Sequence, residues 1–211
     1  MVDPLGGPAY LWPFAVAFLV GYLAGSIPFG LLITRFAGAG DVRAIGSGNI
    51  GATNVLRTGR KGLAVATLIA DILKGLVPAA AGAALLGPDI AVLAGLGAVL
   101  GHCFPVWLKF LGGKGVATAA GVILGLTPWV VPPLIAAFAI TVWWTRYVSL
   151  ASIVAAMLAP LAAWSTGHVQ QAELYVALAA IVVVKHHGNI RRLLAGEENR
   201  FSLSGTKARP D

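Results

Sequence analysis

The sequence predicts an all-α, polytopic integral membrane helix bundle of about seven transmembrane helices, with the N-terminus outside and the C-terminus cytoplasmic. Three observations lead there. Of 211 residues, 58% are hydrophobic and 11% charged, against about 25% charged in a typical soluble domain, and the mean hydropathy is +0.84. Apolar runs of membrane-spanning character recur along the whole chain. Lys and Arg fall almost entirely between alternate runs.

The first run, "LWPFAVAFLVGYLAGSIPFGLLI" from Leu11 to Ile33, exceeds the roughly 20 residues needed to cross a hydrocarbon core of about 30 Å. No Lys or Arg precedes it, and it is far longer than the apolar region of a signal peptide, so it reads as a span. Further runs cover 63 to 86, 91 to 106, 116 to 128, 130 to 144, 148 to 164 and 174 to 184. Several are short, and their ends need loop residues or a locally thinned bilayer. Pro128, Pro132 and Pro133 divide the stretch from 116 to 144 in two. Gly21, Gly25, Gly95 and Gly97 suit close helix packing.

With seven spans, the loops on one side are 34–62, 107–115, 145–147 and the tail from 185, holding 5, 2, 1 and 6 basic residues. The opposite side holds none, and Lys74, inside a span, completes the 15. Short loops rich in Lys and Arg stay cytoplasmic, which gives the orientation. The net charge of +7 therefore belongs to one face, and with no nucleic-acid-binding module apparent it implies no nucleic-acid partner. Arg200, Lys207 and Arg209 need no further role than this bias. Cys103 is the single cysteine, and no His, Cys, Asp and Glu set has metal-ligand spacing, so neither metal nor cofactor is expected.

Three segments on the basic side share an unusual composition: "GSGNIGATNVLRTGRKG" at 46–62, "KFLGGKGVAT" at 109–118 and "KHHGNIRRLLAGEENR" at 185–200. Glycine lets backbone NH groups converge on an anion. Ser47, Asn49, Thr53 and Asn54 supply hydrogen-bond donors, and Arg57 can fork onto phosphoryl oxygens. Gly112, Gly113 and Gly115 surround Lys114 just before the next apolar run, but the G-x-x-x-x-G-K-[ST] spacing is absent, so ATP is not the ligand. No G-x-S-x-G elbow and no His-x-x-x-x-Asp pair is present. Acyl transfer would then need a donor with a good leaving group, as a mixed anhydride with phosphate has. Within the membrane, Asp71 and Lys74 at i,i+3 form a pair whose role, structural or substrate-binding, stays open, and His102 reads as a packing histidine.

As a set, "GYLAGSIPFG" at 21–30, "GSGNIGATNVLR" at 46–57, "DILKGLVP" at 71–78, "GHCFPVWLKFLGGKGVAT" at 101–118, "RYVSLAS" at 146–152 and "KHHGNIRRLLAGEE" at 185–198 resemble the bacterial acyl-phosphate-dependent glycerol-3-phosphate acyltransferases, the PlsY family. The resemblance covers nearly the whole chain. It implies a single transmembrane acyltransferase domain over 1–211, with motif segments 34–62, 107–118 and 185–200 in the cytoplasm. It also implies transfer of a fatty acyl group from acyl phosphate to the 1-hydroxyl of sn-glycerol 3-phosphate, giving lysophosphatidic acid and phosphate, by a monomer among membrane lipids.

By the same resemblance Ser47, Arg57, Lys114, His186 and Asn189 are catalytic. Gly46, Gly48, Asn49, Thr53, Asn54, Gly112, Gly113 and Gly115 line the substrates. His187 and the "GEENR" stretch depart from the usual pattern, which weakens any assignment to His187 and Glu198, leaves His186 and Asn189 intact, and makes His187 peripheral. The alternative from another class is a membrane transporter of a phosphorylated metabolite, since glycines, broken helices and basic residues also suit an anion site.

Overall fold

A computed structural model describes residues 10–201; Lys207 and Arg209 lie outside them. The described residues form ten α-helices: α1 (Trp12–Ser26), α2 (Phe29–Phe36), α3 (Ala52–Val55), α4 (Lys61–Leu85), α5 (Pro88–Cys103), α6 (Val116–Leu126), α7 (Val131–Thr145), α8 (Val148–Ser165), α9 (Val169–Lys185) and α10 (His187–Ala195). The all-α bundle is as expected, but the number of spans is not. Five stretches are long and apolar enough to cross a membrane: Trp12–Phe36, Lys61–Leu85, Pro88–Leu108, Pro128–Thr145 and Val148–Ser165.

The expectation of about seven counted apolar composition without helix length. Helix α6 has 11 residues and reaches only about 16 Å at 1.5 Å per residue. Helix α9 has 17, opens on a polar turn, and hides Leu174, Tyr175, Leu178, Ala179 and Val182 inside the protein. Apolar character there serves the core. An orientation drawn from seven-span parity loses its premise with that count.

Helices α1 and α5 meet along a glycine seam. A Cβ at Gly21 or Gly25 would strike the carbonyls of Ala94 or Ala98, and one at Gly97 or Gly101 those of Phe18 or Tyr22. The two backbones are in contact, the arrangement that small residues permit in membranes. Gly75 and Gly121 do the same between α4 and α6, against Thr118 and Ile72. The main core gathers Val99, Val122, Ile123, Tyr175 and Leu178 from α5, α6 and α9. By contrast α7 has no fully buried residue within it and presents Ile135, Ile140, Trp143 and Trp144 outward, as a lipid-facing helix does.

Tertiary contacts sort the connections into two ends. Gln170 donates to Asp89 and the Trp129 and His168 rings pack at 4.8 Å, so residues 86–89, 127–130 and 166–170 share one end. Lys114 bonds Asn189, Ser149 bonds Glu198 and Phe201 N donates to Arg146 O, so 104–115, 146–149 and 186–201 share the other. Segment 37–60 belongs with the latter, because Leu108 packs against Val42, Ile50 and Val55.

Candidate active site

The first motif is a loop folded around one asparagine. Val42, Ile50 and Val55 sink into a small apolar cluster with Leu31 of α2 and Ala64 of α4. This fixes the loop over the bundle. Within it, Asn54 is buried; its Nδ2 donates to the carbonyls of Val42, Ile45 and Asn49 at 2.8, 3.0 and 2.8 Å. Its Oδ1 accepts from Ser47 N at 3.1 Å and Ser47 Oγ at 3.3 Å. Every polar atom of Asn54 is thus committed to shaping the loop. Asn49 likewise accepts from Gly51 N at 3.0 Å.

These bonds leave Ser47 and Arg57 on the exposed side. Gly46, at φ +56°, lies against the Arg57 side chain, and a Cβ there would collide with Nη1 and with Cδ. Glycine at 46 therefore decides both the turn and the path of the guanidinium. Arg57 makes no ion pair among the described residues, so its fork is open to an incoming anion. Arg35 and Arg43 differ: both bind Asp41, at 2.9 and 2.6 Å. Arg43's bonds, with help from Arg35, hold that carboxyl well below the usual carboxylate range. Thr53 and Gly48 are exposed at the loop surface.

The second motif is held by the end of α5. A helix C-terminus leaves carbonyls without intrahelical donors, and here three distant elements supply them. Gly113 N donates to His102 O at 3.0 Å, Lys185 Nζ to Cys103 O at 3.0 Å, and Tyr22 Oη to Phe104 O at 2.8 Å. The Lys185 ammonium also sits 4.7 Å from the Phe104 ring centroid. One helix end thereby places the glycine-rich loop and the last residue of α9 relative to each other.

Lys114 follows directly and donates to Asn189 Oδ1 at 2.5 Å. Burial pulls its ammonium down to about 8; Glu198 opposes the shift, and Arg192 and Arg57 add to it. Asn189 in turn donates from Nδ2 to Glu198 Oε1 at 2.6 Å. The same oxygen accepts from Ser149 Oγ at 2.7 Å, while Arg192 Nε binds Oε2 at 2.7 Å. Hydrogen bonds from Asn189, Ser149 and Arg192 hold the Glu198 carboxyl low in spite of its desolvation. Glu198 joins Ser149, Asn189 and Arg192 at this end of the bundle, a role that the sequence pattern alone does not assign to it. Among six basic residues from 185 onward the tail carries two glutamates, but nothing in their spacing announces a partner 49 positions upstream.

His186 occupies the joint between α9 and α10 and is fully buried. Its Nδ1 lies 2.7 Å from Val182 O and must carry the hydrogen, which leaves the lone pair on Nε2. Burial drives the imidazole down to about 4, so it is neutral at physiological pH. His187, the first residue of α10, is exposed, and its Nδ1 bonds back to Val184 O at the end of α9, 3.0 Å. The structure therefore brings Arg57, Lys114, His186 and Asn189 to one end, puts Ser47 on the rim, and turns Asn49 and Asn54 inward.

The family model described as glycerol-3-phosphate acyltransferase matches residues 15–196. The chain belongs to the glycerol-3-phosphate acyltransferase family. A glycerol-3-phosphate acyltransferase of Methylorubrum extorquens (strain PA1) is 55% identical over 195 residues, covering 92% of this chain and 96% of the relative. One of Sinorhizobium fredii (strain NBRC 101917 / NGR234) is 54% identical over 201 residues, covering 95% and 97%. Among solved structures, the glycerol 3-phosphate form of PlsY (YgiH), an integral membrane glycerol 3-phosphate acyltransferase, superposes with a TM-score of 0.85 at 40% identity, covering 90% of this chain and 96% of that one. Its lysophosphatidic acid form gives 0.84 at 38% identity. The family match takes in the first two motif segments whole and the third as far as Gly196, and this chain is an acyltransferase of that type and a multi-pass membrane protein.

Proposed function

We propose that the whole chain is one acyltransferase domain whose catalytic end faces the cytoplasm, with Ser47, Arg57, Lys114, His186 and Asn189 as its working groups. The enzyme transfers a fatty acyl group from acyl phosphate to sn-glycerol 3-phosphate, forming lysophosphatidic acid. One observation carries the residue assignment: an open guanidinium, a half-buried ammonium and a neutral imidazole, brought from three distant segments, share one end of the bundle.

Arg57 grips phosphoryl oxygens as a planar fork. Lys114, with one of its three protons on Asn189, has two left for an anion. Gly112, Gly113 and Gly115 pack closely on the end of α5, at His102, Pro105 and Cys103, and so seat the loop that carries Lys114. The 1-hydroxyl oxygen of glycerol 3-phosphate attacks the acyl carbonyl carbon, an ester bond forms, the bond from that carbon to the phosphate oxygen breaks, and phosphate leaves. Fixed donors stabilise the oxyanion that develops in between. His186 at about 4 is a weak base, whereas a substrate phosphate oxygen, with a second pKa of about 6, takes the hydroxyl proton more readily.

The defining experiment supplies purified enzyme in detergent with synthetic acyl phosphate and radiolabelled glycerol 3-phosphate, without nucleotide or divalent metal. Lysophosphatidic acid is the expected product, and acyl-CoA should not replace the donor. A strict need for ATP or magnesium would overturn the chemistry. Orientation follows from the basic loops, since nearly all Lys and Arg lie at the catalytic end. In a Cys103-free background, cysteines at Thr58 and Gly196 should resist a membrane-impermeant reagent in intact cells while one at Gln170 reacts. The reverse pattern would invert the protein.

A further inference from the structure

Beneath the glycine-rich loop, three ionisable side chains from two helices pack together with no part in the reaction just described. On α4, Lys74 Nζ lies 2.8 Å from Asp71 Oδ1, and both side chains are at most 3% exposed. Lys74 also donates at 2.8 Å to the carbonyl of Ile27, at the break between α1 and α2. From the last turn of α5, His102 Nδ1 approaches the same Asp71 oxygen to 3.7 Å. That is too long for a hydrogen bond, yet Nδ1 is buried and has no other partner. Charges buried inside a membrane bundle are costly, and an ion pair is a poor device for stability alone.

The other edge of the same ring meets the loop. A Cβ at Gly113 would collide with His102 Nε2 and come within 2.8 Å of Cδ2 and Cε1. Gly112 is backed by the His102 carbonyl, which also accepts the bond from Gly113 N. Both glycines that lead into Lys114 thus rest on one residue. Its ring faces the Asp71 carboxylate, which Lys74 neutralises and ties to the α1–α2 break.

We infer that the Asp71–Lys74–His102 cluster is a positioning device for the glycine-rich loop, setting where the Lys114 ammonium stands without touching substrate. The inference rests on the reading of Lys114 as a phosphate-binding group. It explains why an ion pair and a histidine stand behind two glycines: the pair fixes the ring, and the ring fixes a backbone that has no side chains of its own to anchor it.

Kinetic coupling tests this. Measured on purified protein, Lys114→Ala identifies whether the KM of one substrate or kcat depends on the ammonium. His102→Ala should change that same parameter about tenfold, and the double variant should be no worse than Lys114→Ala alone. Effects that multiply would overturn the inference. Near-normal turnover by Lys114→Ala would instead sink the reading of Lys114 and the inference with it, a failure recognisable before any double variant is made.

Two more variants guard against simple misfolding. Gly113→Ala should lose at least about tenfold in kcat/KM and regain part of it when His102→Ala opens the space, because coupled residues are not additive. Absence of any rescue counts against the contact. Asp71→Leu with Lys74→Met removes both charges at similar volume. It should keep its Tm in detergent yet shift the Lys114-dependent parameter, and full activity would show the pair to be structural only.

Discussion

At one end of the bundle every connection is short and sparingly polar; at the other, apart from the two-residue turn at Arg146 and Tyr147, they are long and crowded with charge. Leu86 and Gly87 suffice to join α4 to α5, and Thr166 to His168 to join α8 to α9. Gln170 clasps Asp89, the Trp129 and His168 rings pack together, and no Lys or Arg lies there. The opposite end spends twelve residues, 104–115, between α5 and α6 and fifteen between α2 and α3. There a polar group is bonded to backbone or to another side chain so that a third stays open, as Asn54 is bonded so that Arg57 is not. A connection that only turns the chain needs little sequence. The one proposed to hold anions has a second set of residues that holds the first.

The comparison breaks first at Arg57. Arg57→Ala should lower kcat/KM by at least about 100-fold, and Arg57→Lys by at least about tenfold because charge is kept and the fork is lost. Kinetics with both substrates, after membrane insertion is confirmed, check it; near-normal Arg57→Lys would show that the fork is not what binds phosphate. Asn54→Ala comes next. It strands three carbonyls and frees Ser47, so it should cost about 1–3 kcal/mol of stability together with most activity, read as a lower Tm and a weaker kcat/KM.

The third test is pH. Lys114 at about 8 loses its charge as pH rises through that value, so rates that depend on the ammonium should fall above about pH 8, and Lys114→Arg should remove that limb if it still turns over. The unfolded chain holds the Lys114 proton up to 10.5. This group therefore costs stability in full below about pH 8 and progressively less as pH rises from 8 to 10.5. His186 has the opposite side of the profile. Its folded pKa of about 4 lies below 6.5, so its neutral form costs nothing above 6.5 and destabilises increasingly as pH falls toward 4. A Tm that stays level from pH 6.5 to 4 would contradict the buried neutral imidazole.

The smallest effects belong to groups outside the anion site. Asp89→Asn at the far end should leave kcat/KM within about twofold and shift Tm slightly, and Arg200→Ala, whose guanidinium lies 5.8 Å from the half-buried Tyr147 ring, should do the same. A large kinetic effect at Asp89 would erase the distinction between the two ends.

Much of this fold was legible because lipid selects by composition. The run at 63–86 is α4 almost to the residue, and 148–164 is α8. Hydropathy could not see that Pro28 breaks the first run into α1 and α2, that α6 stops at Leu126, or that α9 already starts at Val169, in a polar turn ahead of its apolar run. The site was legible as chemistry but not as architecture. Arg57 and Lys114 come to the same end of the bundle, whereas Asn54, read as a ligand donor, fastens its own loop, a difference that depends on carbonyls 5 to 12 positions away. Asp71 and Lys74 were visible as an i,i+3 pair. His102 joins them from another helix, which spacing along the chain cannot reveal.

The glycine seam between α1 and α5 bears on how the protein is made. Its halves pair Gly21 with Ala94 and Gly25 with Ala98, so the partner of the first span emerges from the ribosome some seventy residues later. Until then α1 sits in the bilayer with its grooves facing lipid, and the rest of the first span, α4 and the motif loop between them are synthesised before the seam can close. Closure is then a late, backbone-to-backbone docking with no side chains to repack around an error. Substitutions at Gly21, Gly25, Gly97 or Gly101 should therefore be felt as failed assembly in the cell, by quality-control proteolysis of a chain whose spans have all inserted, before they are felt as slow catalysis.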